Sequence, residues 1–461
     1  RGLGDVYKRQ YYKYKTKHKT RNDNMKLGMI SLGCAKNLID SELFLGVAQK
    51  YNLEITNNIK EANIIVVNTC GFIESAKKEA IDTLLDVTEN KKGKIIIAMG
   101  CLVERYLSDL RQSIPEVDIY FPIRDYDHID KLFQKILLTG KSYQMDYQNR
   151  VLSTLPHSAY LRISEGCNNH CSYCAIPLIR GSFRSRDFNS LIEEAKYLAS
   201  RGVKEITLIG QDTTRYGTDQ KDNLFLHDLI HQISLIDEIK IIRVLYLYPD
   251  EITSELIDEI KNNDKVAKYF DIPIQHASNR ILNKMNRRGG KFFLENLFET
   301  IRKRINDAII RTTLIVGFPS ETEEDFNILF DFVKKQRFNR LGVFTYSDEE
   351  DTKSAQMQPK VPQDVMERRK DQIMSFQNRL SKILNRTFIG KIYIAIVDFY
   401  DKENSRYCVR NYAYAPDDVD GYIYIYSEKL DYIHAGDIIE IEITKADSYD
   451  LYARLKNKVT N

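Results

Sequence analysis

The sequence has no apolar run long enough to span a bilayer and no segment with the character of a secretory signal. It also lacks an even set of cysteines, since the 461 residues include seven. These absences argue against a membrane protein and against a secreted protein held together by disulfide bonds. We therefore expect a cytoplasmic globular protein of two or three domains, in which cysteines bind metal or take part in redox chemistry.

Residues 1–24 differ from the rest, because they carry eight Lys/Arg against two Asp/Glu. One hypothesis is a basic arm that binds nucleic acid. We favour a non-native or disordered extension ahead of Met25, because a strand pattern begins directly at Lys26. Without these residues the net charge of +3 becomes −3. The remaining chain is mildly acidic, and nothing then indicates a general nucleic-acid surface.

From Lys26 onward, short apolar runs alternate with helical patterns, which is typical of a doubly wound α/β sheet. Three of these runs end in Cys34, Cys70 and Cys101, within the sequences KLGMISLGC, NIIVVNTC and KIIIAMGC. Ligands of an open parallel sheet bind beyond the carboxyl ends of its strands. A single cysteine there would be as readily a small buried apolar residue. Three cysteines at the same position of three successive strands predict a shared site.

A polar linker at residues 141–155 leads to a second alternating region. Its six apolar runs are AYLRIS, EITLIG, IIRVLYLYP, YFDIPIQ, AIIRTTLIVGF and LGVFTYS, and amphipathic helices separate them. Six β/α units predict a partial (β/α)6 barrel, with its active site at the carboxyl ends of the strands. Polar residues and glycines follow the runs at that end, among them Gly210, Gln211, Gln275 and Gly317.

From Phe388 the pattern changes to short strands rich in tyrosine, which predict a small antiparallel β-barrel. Barrels of this kind often bind RNA. Residues 386–458, however, contain thirteen Asp/Glu against ten Lys/Arg, a balance that disfavours phosphate binding. We therefore expect a basic protein partner for this domain. Cys408 lies within it and is interpreted as an ordinary core or surface residue.

Residues 161–181, LRISEGCNNHCSYCAIPLIRG, carry Cys167, Cys171 and Cys174 in a CxxxCxxC arrangement directly after the first of the six runs. Three thiolates can hold a metal centre but are one short of the usual four, so one metal site stays open to another molecule. A zinc site completed by His170 is the alternative. It would crowd two ligands onto adjacent residues, and we favour a 4Fe–4S cluster with one iron free for a small chelating molecule.

A CxxxCxxC motif with an aromatic residue before its last cysteine, here Tyr173, resembles the signature of radical S-adenosylmethionine enzymes. In that superfamily the open iron binds the amino and carboxylate groups of S-adenosylmethionine, and electron transfer cleaves it to a 5′-deoxyadenosyl radical. The layout from Lys26 to Lys458 is similar to that of methylthiotransferases. The resemblance implies an N-terminal methylthiotransferase domain at residues 25–140, a radical domain at 156–386 and a TRAM-like domain at 387–458. It also implies that Cys34, Cys70 and Cys101 hold a second 4Fe–4S cluster.

Within that family, the stretches ISLGCAKNLIDSE, LIGQDTTRYG, DIPIQHAS and RTTLIVGFPSETEEDF resemble the branch that modifies an aspartate of ribosomal small-subunit protein twelve. The other branch modifies an adenosine of tRNA and typically has glutamine and methionine where this chain has Ala35 and Lys36. The acidic β-barrel favours the first branch, because a ribosomal protein is basic and tRNA is anionic. A non-catalytic iron–sulfur electron carrier is a third hypothesis, and the polar rim of the predicted barrel disfavours it.

The resemblance implies two uses of S-adenosylmethionine: a methyl donor to sulfur, and the radical source that removes a β-hydrogen from the aspartate. An electron donor such as a flavodoxin or ferredoxin is implied, whereas a membrane or nucleic acid is not required. The expected contacts of S-adenosylmethionine, each of which has a structural role as its alternative, are Tyr173, Gly210, Gln211, Arg243, Gln275 and Gly317. Arg243 is expected to pair with the carboxylate. Asp40, Glu42 and Asp250 are expected in helix-cap or surface roles rather than catalytic ones.

Overall fold

The computed structural model describes residues 25–459, and the expected extension at residues 1–24 lies outside them. The described chain divides into two compact units. The first holds residues 25–153, 166–168 and 174–183, and the second holds residues 154–165, 169–173 and 184–459. Within the described residues, no helix combines the length and the apolar character that crossing a membrane would need.

The first unit is built on a five-stranded sheet in which each pair of neighbouring strands is parallel. Its strands are β1 (Lys26–Ser31), β2 (Glu54–Thr56), β3 (Ile64–Thr69), β4 (Ile95–Gly100) and β5 (Ile119–Phe121). Their order across the sheet is β2-β1-β3-β4-β5. This order confirms the predicted doubly wound sheet and places its switch point between β1 and β3.

Helices cover both faces of this sheet. They are α1 (Ala35–Lys50), α2 (Glu74–Glu89), α3 (Cys101–Arg105), α4 (Leu107–Ser113), α5 (Ile129–Leu137) and α6 (Ile176–Arg180), with 3-10 turns at Ile123–His128 and Tyr147–Asn149. Alternate residues of β3 enter opposite apolar layers: Val66 packs in the layer that contains Phe44, and Val67 packs in the layer that contains Leu84. The sheet therefore has an apolar core on each face, and the ends of its strands are left available for polar groups.

The second unit contains the six predicted β/α units. Its parallel strands are β6 (Ser158–Arg162), β9 (Glu205–Ile209), β10 (Ile241–Val244), β11 (Tyr269–Asp271), β12 (Ile309–Val316) and β13 (Arg340–Thr345), and a short antiparallel pair is formed by β7 (Ser164–Glu165) and β8 (Arg184–Ser185). The six strands form two parallel sheets, ordered β10-β9-β6 and β11-β12-β13. Their repeated strand–helix order confirms the predicted partial barrel.

Seven helices of the second unit separate or follow these strands. They are α7 (Phe188–Ser200), α8 (Leu226–Ser234), α9 (Ser254–Asn262), α10 (Asn279–Lys284), α11 (Lys291–Arg304), α12 (Glu323–Gln336) and α13 (Gln363–Arg386), with 3-10 turns at Pro249–Glu251 and Lys353–Gln356. The long helix α13 packs against β13 and leads into the C-terminal strands. Helix α13 therefore connects the parallel strands to the β-barrel of the same unit.

The C-terminal strands close into a five-stranded barrel. They are β14 (Ile392–Asp401), β15 (Arg406–Arg410), β16 (Ile423–Tyr426), β17 (Ile438–Ala446) and β18 (Leu451–Lys458), in the order β14-β15-β16-β18-β17. Four of the strand pairs are antiparallel, as predicted, whereas β16 and β18 run parallel. Closure gives each strand of the barrel a neighbouring strand on both sides.

A buried charge network connects this β-barrel to the parallel strands of the same unit. Arg410 on β15 lies between Asp398 and Glu205, with a nitrogen–oxygen distance of 2.6 Å to each carboxylate. Glu205 begins β9 and also lies 3.4 Å from the Arg243 guanidinium. Buried charges destabilise a fold unless they are paired, and here each carboxylate has a guanidinium partner.

Candidate metal centres

The cysteines at the ends of β1, β3 and β4 converge in the first unit. Cys34 directly precedes α1, Cys70 directly follows β3, and Cys101 opens α3. A Cβ atom placed on Gly33 would lie 3.0 Å from the Cys70 sulfur, so the loop after β1 passes directly over Cys70. Burial, followed by the negative charges of Cys34 and Cys101, raises the pKa of Cys70 to about 12. The sulfurs of Cys34 and Cys101 are thus close enough to Cys70 to act on its pKa.

Asn37, in the first turn of α1, connects the loops that carry these cysteines. Its Nδ2 donates to the carbonyl oxygens of Leu32 at 3.1 Å and Thr69 at 3.0 Å. Its Oδ1 accepts a bond from the Cys101 thiol at 3.2 Å. The amide is fully buried, so water does not compete for these bonds. Asn37 therefore fixes three strand ends at the positions that bring the sulfurs together.

Arg180, at the end of α6, also reaches this centre. Its guanidinium pairs with Asp40 at 2.8 Å, donates to Asn37 Oδ1 at 2.7 Å and lies 3.4 Å from the Cys101 sulfur. Burial raises the pKa of Cys101, and the positive charge of Arg180 opposes that effect. Asp40 is buried rather than at the surface, so the sequence-based expectation for it is wrong, because the expectation did not include a guanidinium from so distant a part of the chain.

The donor set of this centre suits a 4Fe–4S cluster. Such a cluster is held by cysteine thiolates, each of which binds a different iron. All three thiols are free of disulfide bonds, and glycines at positions 33, 71 and 100 bring backbone close to them.

Gly33→Ala is expected to remove the cluster at this centre. The added Cβ would lie 2.8 Å from the Cys70 Cβ, and the backbone φ of +88° already disfavours a side chain. Anaerobic reconstitution followed by iron analysis should show about half of the wild-type iron, because one of two four-iron clusters is lost.

The matched control is Gly93→Ala, since Gly93 has φ +81° with no atom within 4 Å of the added Cβ. It should cost about 1–2 kcal/mol of backbone strain and keep all of the iron. Full iron content in Gly33→Ala would show that the loop over Cys70 does not shape a cluster site.

The cysteines of the CxxxCxxC motif are divided between the two units. Cys167 and Cys174 belong to the first unit, whereas Cys171 belongs to the second. The Cys167 amide donates to the Gly181 carbonyl at 3.2 Å, which places the start of the motif beside the end of α6. His170, the alternative zinc ligand, has an exposed side chain and a positive φ of 50°.

Two large side chains of the second unit contact Cys171. Its sulfur lies 3.7 Å from the Tyr248 hydroxyl and 3.8 Å from an Arg287 nitrogen. The Arg287 guanidinium is stacked 4.2 Å from the centre of the Tyr248 ring, donates to the Pro273 carbonyl at 2.6 Å and approaches the Tyr173 hydroxyl at 3.4 Å. Arg287 has no role among the sequence-based predictions, because nothing in its local sequence indicates a contact with Cys171.

Polar atoms without partners occur at the carboxyl end of β9. Gly210 directly follows this strand, and a Cβ there would overlap the Ser164 hydroxyl. Gln211 donates from Nε2 to Glu165 at 2.6 Å, while its Oε1 is buried without a hydrogen-bond partner, as is the Ser164 hydroxyl oxygen. Buried polar atoms without partners call for a polar ligand. The residues at this rim therefore fit S-adenosylmethionine, which carries amino, carboxylate and hydroxyl groups.

The other predicted rim residues, Gln275 and Gly317, lie in turns with positive φ. Gln275 has φ 69° and forms an isolated bridge with Leu314 on β12. Gly317 has φ 77°, and its amide donates to Glu321 at 2.6 Å. Burial raises the pKa of Glu321 to about 7, although Arg369 opposes the rise. The buried Glu321 carboxylate thus stabilises the turn at Gly317.

Arg243 is not placed as predicted. Its side chain is fully buried, lies 3.4 Å from Glu205 and donates to the Tyr412 carbonyl at 2.8 Å. Its guanidinium also lies 4.9 Å from the centre of the Tyr269 ring. These partners belong to the interior and to the β-barrel. Arg243 is therefore not included among the proposed contacts of S-adenosylmethionine.

Family models match three segments of the chain: Uncharacterized protein family UPF0004 at residues 26–122, Radical SAM superfamily at 161–333 and TRAM domain at 389–455.

Among solved structures, the radical S-adenosylmethionine methyltransferase TsrM from Kitasatospora setae has a TM-score of 0.52 at 11% identity, with coverage of 70% of this chain and 73% of that chain. The cobalamin-dependent S-adenosylmethionine radical enzyme OxsB has a TM-score of 0.50 at 12% identity, with coverage of 78% and 56%. At these identities the likeness shows the fold alone. Fold and motif together define a radical S-adenosylmethionine enzyme.

Curated relatives narrow this class. "Ribosomal protein uS12 methylthiotransferase RimO" of Clostridium novyi is 47% identical over 92% of this chain and 97% of the relative. The protein of the same name from Acetivibrio thermocellus is 44% identical over 94% of this chain and 99% of the relative. The chain belongs to the RimO family of methylthiotransferases. Its cofactors are accordingly S-adenosylmethionine and 4Fe–4S clusters.

Proposed function

We propose that this chain methylthiolates the β-carbon of an aspartate in ribosomal protein uS12, using two 4Fe–4S clusters. The observation that carries this function is the match to uS12 methylthiotransferases at 44–47% identity over more than nine-tenths of the chain. The alternative reaction on an adenosine of tRNA is not favoured by these relatives. The two cysteine sets supply what such a reaction needs, because an unactivated C–H bond offers no acidic proton for acid–base catalysis.

The proposed ligands of the radical cluster are Cys167, Cys171 and Cys174, and those of the auxiliary cluster are Cys34, Cys70 and Cys101. Three thiolates on the radical cluster leave one iron for S-adenosylmethionine. Bound there, S-adenosylmethionine would supply the radical chemistry that removes the β-hydrogen, and a second molecule would supply the methyl group of the product. The proposed contacts of S-adenosylmethionine within the chain are Tyr173, Gly210, Gln211, Gln275 and Gly317.

We assign the side chains around these proposed ligands to holding and orienting the site, and not to proton transfer. Arg287 holds Cys171 and Tyr173 through contacts of 3.8 and 3.4 Å. Glu321 accepts bonds from the Gly317 and Phe318 amides at 2.6 and 3.1 Å, which fixes the turn after β12. Both side chains are buried and therefore rigid supports.

We assign substrate binding to the TRAM domain within residues 387–458. The acidic balance of this domain suits a basic ribosomal protein. On its outer face, exposed Ile392 and Ile394 of β14 stand opposite Glu442 and Glu440 of β17. Apolar side chains beside carboxylates can bind a basic segment by both contact and charge.

We also propose an electron donor such as a flavodoxin or ferredoxin. The proposed site of action is the cytoplasm, where ribosomal proteins are made, and the reaction needs neither a membrane nor nucleic acid.

The test of this function is a substrate comparison. Reconstituted enzyme, S-adenosylmethionine and a reductant are incubated anaerobically with purified uS12 in one arm and with total tRNA in the other. Mass spectrometry should find a methylthio group on one aspartate of uS12 and no change in the tRNA. Methylthiolated tRNA together with unmodified uS12 would overturn the proposal.

A further inference from the structure

Arg180 is a buried cation whose guanidinium reaches a cysteine of the auxiliary centre. It lies six residues after Cys174, at the end of the short helix α6, and its side chain is 2% exposed. Helix α6 and the residue before it pack where Cys101 begins α3, since Ala175 and Ile179 share an apolar cluster with Cys101. The segment from Cys174 to Arg180 therefore begins at a cysteine of the CxxxCxxC motif and ends beside Cys101. All of these residues belong to one compact unit.

The orientation of this guanidinium is fixed on two sides. Asp40 binds one terminal nitrogen at 2.8 Å, and Asn37 Oδ1 accepts from the other at 2.7 Å. That second nitrogen also lies 3.4 Å from the Cys101 sulfur, within the range of an N–H···S bond. An arginine needed only to neutralise Asp40 would gain nothing from this third contact. The arrangement instead directs a positive charge at one sulfur.

Asn37 links this charge to the remaining sulfur-bearing loops. Its Oδ1 accepts a bond from Arg180, while its Nδ2 donates to the carbonyl oxygens of Leu32 and Thr69, close to Cys34 and Cys70. A shift of Arg180 would therefore move the amide that fixes the ends of β1 and β3. The contacts form one continuous hydrogen-bonded network around the centre.

We infer that Arg180 is a positioning residue of the auxiliary cluster, which holds the Cys101 thiolate and sets the cluster's reduction potential. The inference rests on the proposed assignment of Cys34, Cys70 and Cys101 as cluster ligands. Net charge and hydrogen bonds to the sulfurs are the main influences of a protein on the potential of such a cluster. A guanidinium at a ligand sulfur favours the reduced cluster, because that state carries one more negative charge.

The test uses the full-length chain with Cys167, Cys171 and Cys174 replaced by alanine, so that only the auxiliary centre can bind iron. Arg180→Lys and Arg180→Met are introduced into this background. Each protein is reconstituted anaerobically, its iron is counted, and the cluster is titrated with dithionite while its electron paramagnetic resonance signal is followed. We expect the midpoint potential to move to more negative values in Arg180→Met and by a smaller amount in Arg180→Lys, which keeps the charge but not the planar donor group.

Arg150→Met is the matched control. Arg150 is also buried in the first unit and pairs with a carboxylate of α1, Glu42, at 2.8 Å. Its replacement should destabilise the fold to a similar degree and leave the midpoint potential unchanged. An unchanged potential in both Arg180 variants would overturn the inference and leave Arg180 as a simple partner of Asp40. Absence of iron from the background protein itself would instead overturn the assignment of the three cysteines, so the two failures are distinguishable.

Discussion

Cys171→Ala is expected to abolish the reductive cleavage of S-adenosylmethionine and, with it, all methylthiolation of uS12. The substitution removes one of the three thiolates proposed as ligands of the radical cluster. The groups in contact with that sulfur are Tyr248 and Arg287, and neither supplies a thiolate. Iron content should fall by about half, since the auxiliary cluster retains its own three ligands. The measurement is chromatographic detection of 5′-deoxyadenosine, combined with iron analysis.

The control for this loss is Cys408→Ala. Cys408 is buried on β15 among Tyr422 and Tyr424 in the C-terminal barrel. Burial raises its pKa to about 12, as expected of a thiol in an apolar site. Its replacement should leave cleavage and iron content at wild-type values. Cleavage that persists in Cys171→Ala would show that the CxxxCxxC motif does not hold the catalytic cluster.

Glu205→Gln is expected to cause a large loss of stability. Its carboxylate accepts from Arg410 at 2.6 and 3.1 Å and lies 3.4 Å from Arg243, and all three side chains are fully buried. Loss of one partner leaves guanidinium charge buried with too few carboxylates, which typically costs about 3–5 kcal/mol. Urea unfolding of the wild-type and variant proteins, followed by circular dichroism, measures the difference in unfolding free energy.

Glu442→Gln gives the comparison for an exposed pair. Glu442 binds Arg454 at 2.8 Å on the outside of the β-barrel, where the arginine side chain is 63% exposed. Its loss should cost less than about 1 kcal/mol. Equal effects of the two substitutions would show that the buried network does not stabilise the junction between the β-barrel and the parallel strands.

The same network predicts a dependence on pH. Burial alone would raise the pKa of Glu205, but Arg410 and Arg243 outweigh it and hold that pKa below its ordinary value, and Arg410 and His157 act likewise on Asp398. A lowered carboxyl pKa contributes stability above the ordinary value of about 4, and this contribution is lost as the pH falls through the lower pKa of the folded state. Glu205→Gln should therefore flatten the fall in stability below about pH 4.

The sequence predicted the fold and the convergence of Cys34, Cys70 and Cys101 because both follow from local rules. Parallel strands read as continuous apolar runs, and cysteines at the ends of three such runs must meet at one edge of the sheet. The roles of Asn37, Arg180 and Arg287 were not predictable, since each depends on a contact between segments far apart in the chain. Arg180 meets Cys101 across 79 residues, and Arg287 meets Cys171 across 116.

The prediction for Arg243 failed in the opposite way, because it assigned a cofactor contact to a residue whose side chain lies in the interior. Its position on the third strand of the partial barrel indicated a cofactor contact, because active sites of barrels lie at the strand ends. The β-barrel supplies two carbonyl acceptors for this guanidinium, from Asn411 and Tyr412. The sequence could not reveal which face of the C-terminal barrel packs against the strand.

The central claim is that radical chemistry removes a β-hydrogen from an aspartate of uS12, and isotope transfer tests it most directly. The enzyme is given uS12 whose aspartates carry deuterium at the β-carbon, with unlabelled S-adenosylmethionine and a reductant. Mass spectrometry of the recovered 5′-deoxyadenosine should show one deuterium, in step with the appearance of methylthiolated uS12. Methylthiolated uS12 accompanied by 5′-deoxyadenosine without deuterium would contradict the claim.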